Sequence, residues 1–197
     1  MKTTEEGLAR FHPVLREWFA RTFGDPTDVQ LRAWKEIEAG KHTLIAAPTG
    51  SGKTLAALLP CLNRIASAGD KRKKGVRVLY ITPLKALNND VHHHVLGFVD
   101  DLAAAAEQMG QPWQGIRSAV RTGDTTSSQR ASMLRNPPDI LVTTPESLYL
   151  LLTSEKGRAI LKTVEQLIVD EIHELAADKR GAHLALSVER LAEWTEQ

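Results

Sequence analysis

Eight consecutive residues, Ala47-Pro48-Thr49-Gly50-Ser51-Gly52-Lys53-Thr54, combine glycines, a lysine and a hydroxyl in the order that suits a chain of phosphates. Glycines let a backbone turn tightly and aim several N–H groups at one anion, and the positive end of a following helix adds to that attraction. In this arrangement Lys53 reaches the outer phosphates and the Thr54 hydroxyl ligates Mg²⁺. The general pattern starts with glycine, and Ala47 stands in that place here. The bland alternative is a glycine-rich turn with an incidental Lys-Thr. Against it stands the local context, an apolar run before the loop and a helical pattern after it.

A second group of candidates is Asp170-Glu171-Ile172-His173, which closes the apolar run Leu167–Val169. A carboxylate at the carboxyl end of a strand can hold Mg²⁺, usually through water, opposite a loop hydroxyl. A second carboxylate beside it can orient and deprotonate a water, which gives Asp170 the metal and Glu171 the base role. Alone, an Asp-Glu pair after a strand is more often a helix cap or a surface turn. Coupled to the phosphate loop, it reads as the acidic half of the same chemistry.

Elements must hold these groups in place. Leu8, Phe11, Leu15, Trp18, Phe19 and Phe23 recur at mostly three- and four-residue steps, which predicts a helix over 8–22. Thr27 is placed to cap a second helix carrying Leu31, Trp34 and Ile37, ended by Gly40. Beyond it, short apolar runs alternate with longer helical stretches. Strands are predicted at 43–47, 76–82, 116–121, 139–144 and 167–170, with helices over 53–68, into the Ala103–Ala106 run, around 129–134, from Pro145, and over 182–194. Such alternation implies parallel crossovers, an α/β fold with helices on both faces of the sheet, and ligands beyond the carboxyl ends of its strands.

The balance of 25 Lys+Arg against 24 Asp+Glu in 197 residues excludes a polycation that holds nucleic acid by bulk charge. A single cysteine, Cys61, excludes a disulfide framework and fits a reducing compartment. No apolar run reaches the roughly 18–20 residues of a membrane span, and the charged start lacks a secretory h-region. A cytoplasmic protein is expected.

The ordered motifs go further. Ala47–Thr54 with Asp170-Glu171-Ile172-His173 resembles motifs I and II of superfamily 2 helicases of the DExH-box type. Thr82-Pro83-Leu84-Lys85-Ala86-Leu87 is similar to motif Ia, Arg121-Thr122-Gly123-Asp124-Thr125 to Ib, and Thr143-Thr144-Pro145-Glu146-Ser147-Leu148 to the following Thr-Pro-Glu motif. Phe23–Gln30 is similar to the adenine-recognising Q motif. Leu84–Asp90 and Lys179–Leu184 resemble the Lhr (large helicase-related) branch, ligase-associated relatives included.

This resemblance implies a RecA-like P-loop NTPase lobe over residues 41–197, preceded by N-terminal helices over 1–40. It implies the ATP-binding first motor lobe of a translocase on single-stranded DNA, with ATP and Mg²⁺ as cofactors. Gln30 would read adenine, with Ala47, Pro48, Thr49, Gly50, Ser51, Gly52, Lys53 and Thr54 around the phosphates. Lys53 and Glu171 would act in catalysis, and Thr54 and Asp170 on the metal. His173 would couple nucleotide state to the strand path. Pro83, Leu84, Lys85, Arg121, Thr122, Gly123, Asp124, Thr144, Pro145 and Glu146 would meet the nucleic-acid backbone. Bland readings stay open beside these: Thr144 capping the helix that Pro145 opens, Arg121 covering apolar surface, and Phe11, Phe19 and Phe23 packing in a core rather than stacking on a base.

No Ser-Ala-Thr follows the Asp-Glu-Ile-His. The resemblance also implies a second RecA-like lobe with the arginine finger, expected as a partner outside this chain, along with the winged-helix and C-terminal regions. Loss of such an arginine costs about 10³–10⁵ in rate in GTPases, so the lone lobe is expected to bind nucleotide weakly and to unwind nothing. RNA or a DNA/RNA hybrid stays open as substrate, because backbone contacts discriminate poorly unless a 2′-hydroxyl is read. The rivals are a P-loop kinase, which leaves motif Ia and Thr-Pro-Glu unexplained, and a single-lobe nucleic-acid-binding module. His92-His93-His94 is read as a solvated helix stretch rather than a metal site, Lys71–Lys74 as a solvated loop, and Cys61, Trp18 and Trp34 as core.

Overall fold

The computed structural model describes residues 7–83, 91–176 and 179–195, without the side chains of 91–93. Its helices are α1 (Pro13–Phe23), α2 (Asp28–Glu38), α3 (Lys53–Ala68), α4 (Val91–Gln108), α5 (Ser127–Arg135), α6 (Pro145–Thr153), α7 (Glu155–Leu161), α8 (Ile172–Ala176) and α9 (Lys179–Thr195). Strands β1 (Val78–Ile81), β2 (Ser118–Arg121), β3 (Ile140–Thr143) and β4 (Gln166–Val169) form one all-parallel sheet in the order β2-β3-β1-β4. In register, Tyr80 of β1 faces Val142 of β3 and Ile168 of β4. The α/β fold with a parallel sheet expected from the alternation is what forms.

The chain divides into two compact units. The unit of Lys71–Val99 and Ile116–Gln197 contains the sheet. Leu79, Ile81 and Leu141 point from one face into a core with Leu148, Leu151 and Leu152 of α6, Ile160 and Leu161 of α7, and Leu184 and Leu191 of α9. Val78, Tyr80, Ile140 and Val142 alternate to the other face and are equally buried. Burial on both faces explains why these strands read as continuous apolar runs rather than as alternations.

In the other unit, Met1–Asp70 with Asp100–Gly115, aromatic rings knit α1 to α2. Phe11 and Phe19 meet Trp34 edge-on at 5.0 and 5.5 Å, and Phe23 leans on Trp18 and Phe19. Phe11, Phe19, Trp18 and Trp34 are therefore core, whereas Phe23 stays 43% exposed. Cys61 is also core; burial pushes its thiol up to about 12.

One predicted strand does not form. Residues 43–47 carry no ladder and Leu44 is 79% exposed, so the described sheet has four strands where the apolar runs predicted five. A strand exists only by pairing, and Pro48 ends this run without an N–H to donate. The basic stretch also differs from a solvated loop. Arg72 reaches the largely buried Asp139 carboxylate at 3.2 Å, which also accepts from the Arg117 N–H at 2.8 Å, while Lys71, Lys73 and Lys74 remain exposed.

His12 caps α1. Its Nδ1 accepts from the Val14 N–H, and its own N–H donates to Asn63 of α3 at 2.7 Å. The accepting nitrogen requires the neutral ring, and burial holds its pKa below the ordinary histidine value. The unfolded chain thus takes up this proton first on acidification. Its contribution is full above the unfolded value and is lost as pH falls from about 6.5 toward the lower folded value. His12→Asn keeps a capping acceptor and removes the titration. Thermal melts of this variant are expected to vary less with pH between about 7 and 5 than those of the parent chain.

Candidate functional site

The phosphate loop bends through two left-handed glycines, Gly50 at φ 81° and Gly52 at φ 83°. A side chain is strained at either position, and a Cβ on Gly52 would also run into the Gln30 amide. The loop leads into α3, whose N-cap Gly52 has no side chain to offer. The first-turn amides of α3 therefore point out of the helix without a side-chain cap, an arrangement made for an anion. The Lys53 ammonium lies across the loop mouth, donating to the carbonyls of Ala47 at 2.6 Å and Pro48 at 2.9 Å. Ser51 N–H closes the turn on Pro48.

Gln30 is 4% exposed and joins this loop to the start of α2. Its Oε1 accepts from the Thr27 N–H at 2.9 Å, while the Thr27 hydroxyl accepts from the Gln30 N–H, a reciprocal capping box. Its Nε2 donates to the Gly52 carbonyl at 3.3 Å, and the Thr27 hydroxyl donates to the Ser51 carbonyl at 3.1 Å. Thr27 was foreseen as a cap; its hold on Ser51 was not.

Asp170 and Glu171 belong to the sheet-bearing unit. Asp170 extends the ladder one step past β4, its N–H donating to the Ile81 carbonyl at 2.8 Å. Its Oδ2 accepts from the Tyr80 hydroxyl at 2.6 Å and its Oδ1 from the Glu171 N–H at 2.9 Å. Glu171 has a φ of 48°, the one left-handed non-glycine among the described residues. Such strain clusters at functional sites. Its Oε2 lies 3.4 Å from His173 Nδ1. Tyr80 escaped the sequence reading, although a phenol inside the apolar Val78–Ile81 strand signals a partner for its hydroxyl.

At the carboxyl end of β2 the chain turns through Thr122–Thr125. The Thr125 hydroxyl accepts from the Thr122 N–H, and the Thr122 hydroxyl from the Asp124 N–H. Arg130 of α5, also unforeseen, braces this turn by donating to the carbonyls of Gly123 and Thr122. Arg121 is 8% exposed, and no acidic side chain among the described residues offsets its charge. Burial, then the neighbouring Arg130, hold its pKa below the usual arginine value. A buried cation facing another cation suits an anion.

The Thr144 hydroxyl accepts from the Ser147 N–H and Pro145 opens α6, so the capping reading of Thr144 is what forms. Glu146 pairs with Arg180 at 3.6 Å. Pro83 is buried; Leu84 and Lys85 lie outside the described residues. So do the side chains of His92 and His93, while His94 stacks on Phe98. Among the described residues no cluster of three or more ligand-type side chains could hold a metal. No described helix is long and apolar enough to cross a membrane.

A parallel sheet with an acidic pair at its carboxyl edge, and a glycine-lysine-threonine loop opening a helix, define a P-loop protein with a RecA-like lobe. The chain belongs to the DEAD/DEAH box helicase family, whose profile matches residues 27–197. It is 50% identical over 184 residues to an Lhr helicase/probable uracil glycosylase of Mycolicibacterium smegmatis, covering 93% of this chain and 12% of that protein. It is 47% identical over 196 residues to the ATP-dependent helicase Lhr-Core of Methanothermobacter thermautotrophicus, covering 97% of this chain and 22% of that one. Among solved structures, Mycobacterium smegmatis helicase Lhr bound to ssDNA and AMP-PNP superposes with a TM-score of 0.87 at 49% identity, covering 95% of this chain and 24% of that one. The resemblance to the Lhr branch carried by the motifs is borne out by these relatives. The chain spans between about an eighth and a quarter of their lengths.

Two variants separate scaffold from site. Gln30→Ala removes the capping box and the tie to Gly52, and is expected to destabilise by about 1–2 kcal/mol in chemical denaturation. Arg121→Leu is expected to do the opposite, raising the melting temperature by a few degrees (about 1 kcal/mol), because it relieves a buried cation of its like-charged neighbour.

Proposed function

We propose that this chain is the ATP-binding first motor lobe of an ATP-dependent helicase acting on single-stranded DNA. The observation that carries the reading is the phosphate loop, with two left-handed glycines, an uncapped α3 N-terminus and a lysine across its mouth. Residues 41–197 form the RecA-like lobe and residues 1–40 precede it with the adenine-reading segment. The similarity to an Lhr helicase bound to ssDNA and AMP-PNP supports the choice of nucleotide and strand.

In this reading the loop amides and Lys53 hold the β- and γ-phosphates, and Gln30 reads adenine with the amide hydrogen and lone pair its scaffold bonds leave over. The donors Thr54 Oγ1 and Asp170 are hard oxygens, the set that suits Mg²⁺. When bound, Mg²⁺ neutralises charge that develops on the transferring phosphoryl group. Glu171 orients the attacking water and takes its proton, and His173, beside Glu171, relays its state. Arg121, Thr122, Gly123, Asp124, Thr144, Pro145 and Glu146, with Pro83, Leu84 and Lys85, line the strand path. Backbone amides, hydroxyls and a few cations bind phosphates without a high net charge. A second RecA-like lobe supplies the arginine finger.

Calorimetry of Mg-ATP binding, with and without a single-stranded DNA oligonucleotide, tests this. Lys53→Ala is expected to weaken nucleotide binding by at least about tenfold, the loss of a charge-assisted contact. DNA is expected to change the affinity of the parent chain for ATP. Strand binding indifferent to both ATP and Lys53→Ala would instead mark a nucleic-acid-binding module.

A further inference from the structure

The hydroxyl of Tyr80 has no packing reason to exist. Val78, Leu79, Tyr80 and Ile81 are all buried, Tyr80 to 1% exposure, and a phenylalanine ring would fill the same space. Burying a hydroxyl carries a desolvation cost unless it is hydrogen-bonded, so its partner identifies its purpose. That partner is Asp170, at 2.6 Å.

Register explains how the two meet. Tyr80 and Ile168 are paired in the parallel β1/β4 ladder, so their side chains share a face of the sheet. Asp170, two residues on, returns to that face, and its N–H bond to the Ile81 carbonyl keeps the alternation intact past the end of β4. A phenol is long enough to span this step; a serine or threonine at the same position is not. The 2.6 Å separation is that of a charge-assisted O–H···O⁻ bond. With the Glu171 N–H on Oδ1, each carboxylate oxygen has one donor and keeps a lone pair, and Asp170 itself is only partly buried. A carboxylate gripped at both oxygens from the protein side is fixed in rotation and presents its remaining lone pairs outward.

We infer that Tyr80 is a positioning residue of the motor site: its hydroxyl holds the Asp170 carboxylate in the orientation that receives a hydrated divalent cation. The inference rests on the reading of Asp170 as the metal-side carboxylate. Groups that orient a metal-binding carboxylate typically contribute about 10–100-fold in metal affinity.

The test uses the 197-residue chain with Mn²⁺ and a non-hydrolysable ATP analogue, reading free Mn²⁺ by electron paramagnetic resonance and folding by thermal melts. Tyr80→Phe is expected to weaken Mn²⁺ binding about tenfold while leaving metal-free nucleotide binding unchanged. Asp170→Asn is expected to weaken Mn²⁺ at least as much, and adding Tyr80→Phe to it is expected to change little further. Unchanged Mn²⁺ affinity in Tyr80→Phe, with Asp170→Asn still weakened, overturns the role of Tyr80 and leaves the role of Asp170 standing. A lower melting temperature without a change in Mn²⁺ affinity also overturns it, because that marks a purely structural bond. Unchanged affinity in Asp170→Asn removes the underlying reading and the inference with it. Should Tyr80→Phe not fold, fluorotyrosine labelling replaces it. The chain has two tyrosines, so Tyr149→Phe assigns the resonances. The Tyr80 signal is expected to shift on Mg²⁺ titration with nucleotide in the parent chain and to stay still in Asp170→Asn; a signal that stays still in both overturns the inference.

Discussion

A single backbone bond, from the Asp170 N–H to the Ile81 carbonyl, decides where the acidic pair stands. It extends the parallel ladder one rung beyond β4, so that Asp170 is still strand-like when the chain must already turn. The turn is forced onto Glu171, whose left-handed φ is the visible consequence. A residue released from the ladder earlier would avoid this strain and would also lose its fixed distance from β1. Similar bonds run along the same edge: Thr82 N–H to the Thr143 carbonyl, and the Thr143 hydroxyl to the Arg121 carbonyl. The carboxyl edge from β2 to β4 is thus tied laterally by rungs that continue where the strands formally stop. A parallel sheet concentrates its chemistry there because side chains leaving consecutive strands converge at that edge.

Charge is distributed with equal economy. Stability favours pairing a buried cation, as Arg72 does with Asp139. Arg121 does the reverse, placed against Arg130 with no carboxylate to offset it. The α3 N-terminus is likewise left without a side-chain cap, although α2, α5 and α6 each have one. A protein selected for stability alone would place an aliphatic side chain at Arg121, whereas Gly52, left-handed and with the Gln30 amide against it, excludes a capping side chain. Both arrangements leave positive potential that an anion would relieve.

Helix α3 was legible to the residue, Lys53–Ala68, because its start is fixed by the glycine loop and its end by Gly69. The four strands that formed were legible within one or two residues at most ends; β1 and β3, buried at every position, announce themselves as apolar runs, and β2 and β4, only partly buried, by apolar residues between turn signals. The run at 43–47 has the same composition and did not pair, because apolarity reports a wish to be buried and says nothing about which neighbour supplies the ladder. Tyr80 and Arg72 were hidden for a related reason. Each acts through a partner some 65–90 residues away in sequence, and single-sequence periodicity contains no such distances. Gly181 is a third case. It stands just before the helix predicted over 182–194, within the Lys179–Leu184 segment, and nothing local shows that any Cβ there would strike the Leu175 carbonyl, so that the close approach of α8 and α9 depends on its absence.

Gln30 shows how one side chain can tie a helix cap to a loop and still keep hydrogen-bonding capacity to spare. Its Oε1 is committed to the Thr27 N–H and one Nε2 hydrogen to the Gly52 carbonyl. An amide has two acceptor lone pairs and two donor hydrogens, so one of each remains, the complement needed for the donor–acceptor edge of adenine. The bonds already made fix the amide plane, which removes the rotational entropy a free glutamine would lose on binding. They also attach that plane to Gly52, the residue whose left-handed turn sets the first amides of α3. Under the proposed reading of Gln30 as the adenine contact, a base on the remaining lone pair and hydrogen would pull on the phosphate loop through one shared side chain. A glutamate in this position would keep the cap but lose the donor to Gly52, and asparagine would be too short to reach both, so the length and the two-sidedness of glutamine are what the junction requires.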